Sequence, residues 1–146
     1  MRVLITTSIF PPDIGGPATY VPTMARSLHD RGHSVSVVTT SNTPNSIDID
    51  DGYPFEIVRI SRKINRPKRA FELLRCIMEL GKNSDLIFSN SISMPEPCIA
   101  ATLIGKPLVL KVVGDSAWEI AFRRGWSSLE FEDFQHSRAS WLSETL

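Results

Sequence analysis

Residues 3–17 read Val3-Leu4-Ile5-Thr6-Thr7-Ser8-Ile9-Phe10-Pro11-Pro12-Asp13-Ile14-Gly15-Gly16-Pro17, and this stretch decides the fold. Residues 3–7 form a short β-branched run, apolar without alternation, as expected of a strand covered on both faces. Residues 8–16 hold two prolines and two glycines and are therefore a loop. From Pro17 the apolar positions Tyr20, Val21, Met24, Ala25 and Leu28 recur at helical spacing and mark one face, with Gly32 as the stop. A covered strand passing through a glycine loop into a helix is the start of a βαβ unit.

The alternation continues along the chain. Residues 34–40 and 55–60 read as the second and third strands, separated by a polar loop from Ser41 to Gly52. Pro67 opens a helix whose Phe71, Leu74, Ile77 and Met78 are predicted to share one face, with Gly81 at its end. Residues 85–89 give a fourth strand, 95–104 a helix rich in small residues, and 107–113 a fifth strand. Residues 116–146 read as helical, broken near Gly125. Strands separated by helices of roughly 10–15 residues predict an α/β fold. The expected architecture is a Rossmann-like parallel sheet of at least five strands, with helices on both faces and right-handed crossovers.

Composition narrows the function. The chain has 146 residues, and its 16 Lys+Arg balance 16 Asp+Glu, so it lacks the basic excess of a dedicated nucleic-acid binder. At 42% hydrophobic and 22% charged it is a globular chain long enough for one core. Cys76 and Cys98 are too few for a disulfide framework and lack metal-ligand spacing, so both are expected as reduced, packed thiols. No apolar run approaches the roughly 20 residues of a membrane span, and no targeting segment opens the chain. A cytoplasmic protein is expected, with peripheral contact to the inner membrane face left open.

Ligands of an open parallel sheet bind beyond the carboxyl ends of its strands. Those ends are polar here: Thr7-Ser8, Thr40-Ser41-Asn42, Ser61-Arg62, Asn90-Ser91 and Gly114-Asp115-Ser116. The loop containing Gly15 and Gly16 lets a backbone approach a bound group, and a helix starting at Pro17 directs N–H groups toward it, which suits a phosphate. A tight turn without a ligand fits the same residues equally well. The loop lacks the G-x-G-x-x-G spacing of dinucleotide binders, and the second strand ends in Thr39-Thr40-Ser41, without the acid that would hold a ribose. The G-x-x-x-x-G-K-[ST] phosphate loop is absent too.

Several stretches together resemble the start of a retaining, family 4-like glycosyltransferase. They are Met1-Arg2-Val3-Leu4-Ile5, Phe10-Pro11-Pro12-Asp13-Ile14-Gly15-Gly16, Leu28-His29-Asp30-Arg31-Gly32-His33-Ser34-Val35, Asp85-Leu86-Ile87-Phe88-Ser89-Asn90, Gly105-Lys106-Pro107-Leu108-Val109 and Val113-Gly114-Asp115-Ser116-Ala117-Trp118-Glu119. The resemblance implies one half of a GT-B enzyme, in which two Rossmann-like domains face each other across a cleft. Residues 1–146 would be the N-terminal, acceptor-side domain, without the C-terminal donor-binding domain, and inactive alone. Gly15 and Gly16 match the family's donor-phosphate loop. No metal or other cofactor is implied, only a nucleotide sugar as co-substrate. The partners are that donor and a carbohydrate or lipid-linked hydroxyl acceptor. Where the family often has a histidine after the fifth strand, this chain has Val113-Gly114-Asp115, which makes Asp115 the catalytic candidate. Tyr20, Arg62, Lys63, Asn90, Ser91 and Trp118 are the candidate acceptor contacts. The alternative, from another class, is a non-catalytic binding subunit that pairs with a separate catalytic chain.

Two further patterns remain. Residues 59–82 hold eight basic residues (Arg59, Arg62, Lys63, Arg66, Lys68, Arg69, Arg75, Lys82) against Glu72 and Glu79, a basic amphipathic pattern. Its apolar face is expected to pack on the sheet beneath a solvated flank, while the basic loop from Arg62 to Arg69 fits either an acceptor phosphate or an anionic membrane surface. Trp118, Phe122 and Trp126 fall at i, i+4 and i+8, which predicts a buried stripe. His29, His33 and His136 form no cluster at ligand spacing.

Overall fold

The computed structural model describes residues 1–43, 50–90, 93–112 and 116–136. The chain divides into two units, residues 1–112 and 113–146. The first runs β1 (Arg2–Thr7), α1 (Gly16–Asp30), β2 (Ser34–Ser41), β3 (Glu56–Ser61), α2 (Arg66–Lys82), β4 (Leu86–Ser89), α3 (Glu96–Ile104) and β5 (Leu108–Leu110). Its five strands form one parallel sheet in the order β3-β2-β1-β4-β5. The expected Rossmann-like sheet is present. Strand order runs outward from β1 in one direction and from β4 in the other, so the topological switch point lies between these two strands.

The unbroken apolar run of β1 is explained by what lies on either side of it. Leu4 and Ile5 are both fully buried, although consecutive strand residues point to opposite faces. Leu4 enters a core with Val38, Leu73, Ile77, Ile87, Met94, Ala100 and Ala101, which come partly from α2 and α3. Val3 and Ile5 enter another core with Phe10, Val21, Ala25, Val35 and Val37, which includes α1. Helices therefore cover both faces.

The helix ends follow their sequence signals. Gly32 has φ +81°, and behind it Gly32 N–H donates to His29 O at 2.8 Å and His33 N–H to Leu28 O at 3.1 Å. This paired closure is the Schellman stop, and it needs a left-handed residue at that point. Asn65 caps α2 by accepting from Lys68 N–H at 3.0 Å.

The predicted face of α2 is corrected at Phe71, while Leu74, Ile77 and Met78 do pack against the core. Its buried residues are Leu73, Ile77 and Gly81, spaced by four, whereas Phe71 is 65% exposed. Phe71 lies two positions from Leu73, about 200° around a helix of 3.6 residues per turn, and so cannot share its face. Gly81 does lie at the helix end, one residue before Lys82. A Cβ there would lie 2.8 Å from Ile104 Cδ1 and 3.2 Å from Ile87 Cδ1, so this glycine lets α2 sit close to the sheet and to α3. Both cysteines are free and half-buried, and burial pushes the Cys76 thiol up to about 11.

The second unit contains α4 (Ser116–Arg123) and α5 (Phe131–His136). The expected aromatic stripe does not form there. Trp118 is half-buried, 5.4 Å from Phe122 and 5.6 Å from Phe131 between ring centres, while Phe122 and Trp126 are each 54% exposed. The reason is local: α4 ends at Arg123 and Gly125 adopts φ +69°, so Trp126 lies beyond the helix. Among the described residues, no helix is long and apolar enough to cross a membrane.

Candidate functional site

The loop from Ser8 to Gly15 leaves β1 at the carboxyl edge of the sheet, beside the switch point. Three of the polar strand-end residues expected to form a rim, Thr7, Thr40 and Arg62, are turned inward to shape this loop. Thr7 Oγ1 donates to Ile9 O at 2.9 Å, and Thr40 Oγ1 donates to Ser8 O at 2.8 Å. Asp13 N–H closes a turn onto Phe10 O at 3.1 Å, and the Pro11–Pro12 peptide is cis.

Two arginines of the basic run hold the loop from the far side of β2. Arg59, on β3, has a side chain only 2% exposed. Its guanidinium forms a two-pronged pair with Asp50, at 2.7 and 2.9 Å, donates to Pro11 O at 2.7 Å, and stacks 5.5 Å from the centre of the Phe10 ring. Arg62, just after β3, donates to Thr40 Oγ1 and Ser8 O at 2.8 Å each and to Thr40 O at 2.9 Å. It also pairs with both carboxylate oxygens of Asp13. Hydrogen bonding from Arg62, reinforced by its charge, holds the Asp13 carboxyl below the ordinary carboxylate range. Arg62, expected to touch the acceptor, thus has every guanidinium nitrogen engaged inside the protein. Composition alone could not separate these two tethers from the other basic residues. The available signal was the position of Arg59 within an apolar strand.

At the end of the loop, Gly15 is the N-cap of α1 with φ +153°, and a Cβ there would meet Ile9 Cδ1 at 2.7 Å. The conformation requires glycine, and a Cβ would also push aside the tip of the Ile9 side chain. Gly16 differs: it is exposed, and a Cβ would meet nothing within 4 Å. One side of this turn is therefore packed on Ile9 and the other is open. Its glycine cap offers no side chain to the first-turn amides, and no acidic residue occupies that turn.

The other candidate residues lie on α1 and after β3, β4 and β5. Tyr20, one helical turn beyond Gly16, is 40% exposed, and the Lys111 ammonium sits over its ring, 3.1 Å from the centre. Lys111 follows β5, and its N–H donates to Ser89 O at 2.8 Å. Sequence reading passed over it because a lone lysine after a strand carries no pattern. Asn90, after β4, is 2% exposed, and its N–H donates to Thr6 O at 2.9 Å. Its Oδ1 is buried without a hydrogen-bond partner, as is the Thr6 hydroxyl on β1, whose register partner is Ser89. Lys63 is exposed. Trp118 belongs to the second unit, where its Nε1–H donates to Leu129 O at 2.9 Å. Ser91 and Asp115 lie outside the described residues.

Comparison with known proteins adds the family. A model of the glycosyl transferase 4-like domain matches residues 15–144. The chain belongs to that family. No curated protein matches this glycosyltransferase 4-like domain in sequence. Among solved structures it is similar to a glycosyltransferase from Rickettsia africae, at 12% identity and a TM-score of 0.57, over 88% of this chain and 34% of that one. It is also similar to Anabaena HepE, solved with UDP and glucose, at 17% identity and a TM-score of 0.56, over 75% and 29% of the two chains. The C-terminal domain of a Pyrococcus furiosus hydrogenase scores 0.56 at 13% identity, over 75% and 90%. At such identities the likeness is one of fold alone, as the hydrogenase domain illustrates. The glycosyltransferase 4-like domain spans about a third of the two longer chains.

Proposed function

We propose that this glycosyltransferase 4-like domain is the acceptor-side half of a retaining hexosyltransferase, with a nucleotide sugar as co-substrate and no metal ion. The family match supports it, and one observation carries it to this site: the turn at Gly16 is open and without side chains, at the switch point of the sheet. In the reaction the bond from the anomeric carbon to the donor phosphate breaks. A bond to the acceptor hydroxyl oxygen forms, and that hydroxyl passes its proton to an oxygen of the departing phosphate. Negative charge accumulates on the departing nucleotide diphosphate. Amides at the start of α1, together with the positive end of its helix dipole, stabilise that charge. Lys63 and Asn90 stand on the same edge as acceptor contacts, and Arg62 serves them by fixing the loop.

Gly16→Ala separates this reading from a plain turn. Ala fits the space, so melting temperature stays as in the wild type, while its methyl group intrudes where the phosphate lies. In the full-length protein, with a panel of nucleotide sugars, the KM for the donor rises at least about tenfold, as when a single charge-assisted contact is lost. An unchanged KM, or no transfer by the wild type from any sugar donor, would overturn the proposal.

A second reading concerns the surface. Phe71 is exposed on α2 with Lys68 and Arg75 on either side of it along the helix, each paired with an acid four residues on (Glu72 and Glu79), and the cations Lys63 and Arg66 are exposed at its start. An apolar ring among cations suits an anionic membrane surface near a lipid-linked acceptor. Salt-sensitive binding to anionic vesicles, reduced in Phe71→Ser, is the expected result. Equal binding to neutral vesicles would remove this reading.

A further inference from the structure

The Lys111 ammonium makes no ion pair among the described residues, although the chain carries as many acids as bases. Its neighbour is instead the face of Tyr20, with the nitrogen 3.1 Å from the ring centre. A ring face attracts a cation without neutralising it, so Tyr20 places the charge and leaves it available to an anion. The placement is specific. Backbone pairing of Lys111 N–H with Ser89 O fixes the base of the side chain beside β4. Tyr20 fixes its tip, and Tyr20 lies four residues beyond Gly16, on the same helical face and leaning toward the helix start. The positive charge is thus held beside the N-terminal part of α1, and it comes from the end of β5, two strands away from β1.

We infer that Lys111, held by Tyr20, is the anion-binding cation of this edge and that it contacts a phosphate or diphosphate group lying at Gly15 and Gly16. The inference rests on the phosphate-loop reading given above and adds to it the residue that supplies the charge. Tyr20, expected as an acceptor contact, acts here as a positioning residue through its ring.

Inorganic pyrophosphate titrated into the full-length protein, with binding followed by calorimetry, tests it. Lys111→Met keeps the length of the side chain and removes the charge, and should weaken binding about tenfold or more, the size of a lost charge-assisted contact. Tyr20→Phe keeps the ring and should bind as the wild type does. Tyr20→Leu should lose part of the affinity and should leave that of Lys111→Met unchanged when the two are combined. Melting curves and circular dichroism of each variant exclude misfolding. UDP and dodecyl phosphate as competitors identify the source of the anion: loss confined to UDP assigns the donor, and loss confined to dodecyl phosphate assigns a lipid-phosphate acceptor. Pyrophosphate binding by folded Lys111→Met within twofold of the wild type, or no binding by the wild type, would overturn the inference. The two ideas fail separately. Sugar transfer with an unchanged donor KM in Lys111→Met removes the lysine and leaves the transferase. Weakened pyrophosphate binding without transfer from any nucleotide sugar removes the transferase and leaves the anion site.

Discussion

Arg59 and Arg62 show how much of a site is made by residues that never reach a ligand. Arg59 is almost wholly buried with its charge met by Asp50, so removing it strands a carboxylate and releases Pro11 O together. Arg59→Met should destabilise the domain by about 3 kcal/mol, measured by urea unfolding, because breaking a buried pair from one side leaves the other charge uncompensated. The Asp13 pair is more exposed and its effect smaller. Because the pKa of Asp13 is lowered in the folded protein, its contribution is complete above the unfolded value near 3.8 and fades as pH falls through the folded value. Asp13→Asn should therefore cost about 1 kcal/mol at neutral pH and nothing once the wild-type carboxyl is protonated. Unfolding curves from pH 7 downward should converge once the pH has fallen through the lowered folded value; curves that stay parallel would contradict the assignment. The glycine loop itself was legible in the sequence, since few other residues permit that turn. Its tethers were not: a basic run gives charge and spacing, but burial decides which cations face water, and burial depends on the neighbouring strands.

For the elements, the unalternating strands gave the parallel sheet directly, because a strand covered on both faces has no polar side to show. Helix faces were harder. In α2 both Phe71 and Leu73 are apolar, and only docking tells which one is covered; the glycine at 81 settles it, lying in line with Leu73 and Ile77. Ile77→Ala should cost about 3 kcal/mol through the cavity it leaves. Phe71→Ala should change stability by less than about 0.5 kcal/mol, as an exposed substitution does. Thermal unfolding of the two variants checks the face. The aromatic spacing of residues 118, 122 and 126 misled for a related reason: periodicity presumes a continuous helix, and Gly125 interrupts this one.

Taken whole, the first unit holds both core clusters and all five strands within residues 1–112. A chain ending at residue 112 should therefore unfold cooperatively, with a single transition by circular dichroism; a gradual, non-cooperative melt would show that the sheet depends on residues 113–146. Within this unit the loop after β1 is secured by side chains that originate two strands away, on the edge of the sheet. Its backbone is ordered when the protein folds and need not be ordered again when a ligand arrives, so the entropy that a slack loop would forfeit on binding is already settled. Affinity at this edge then depends on contact and charge alone. A substitution at the outermost strand, touching nothing that binds, should act as a change in preorganisation and appear first in how fast ligands leave.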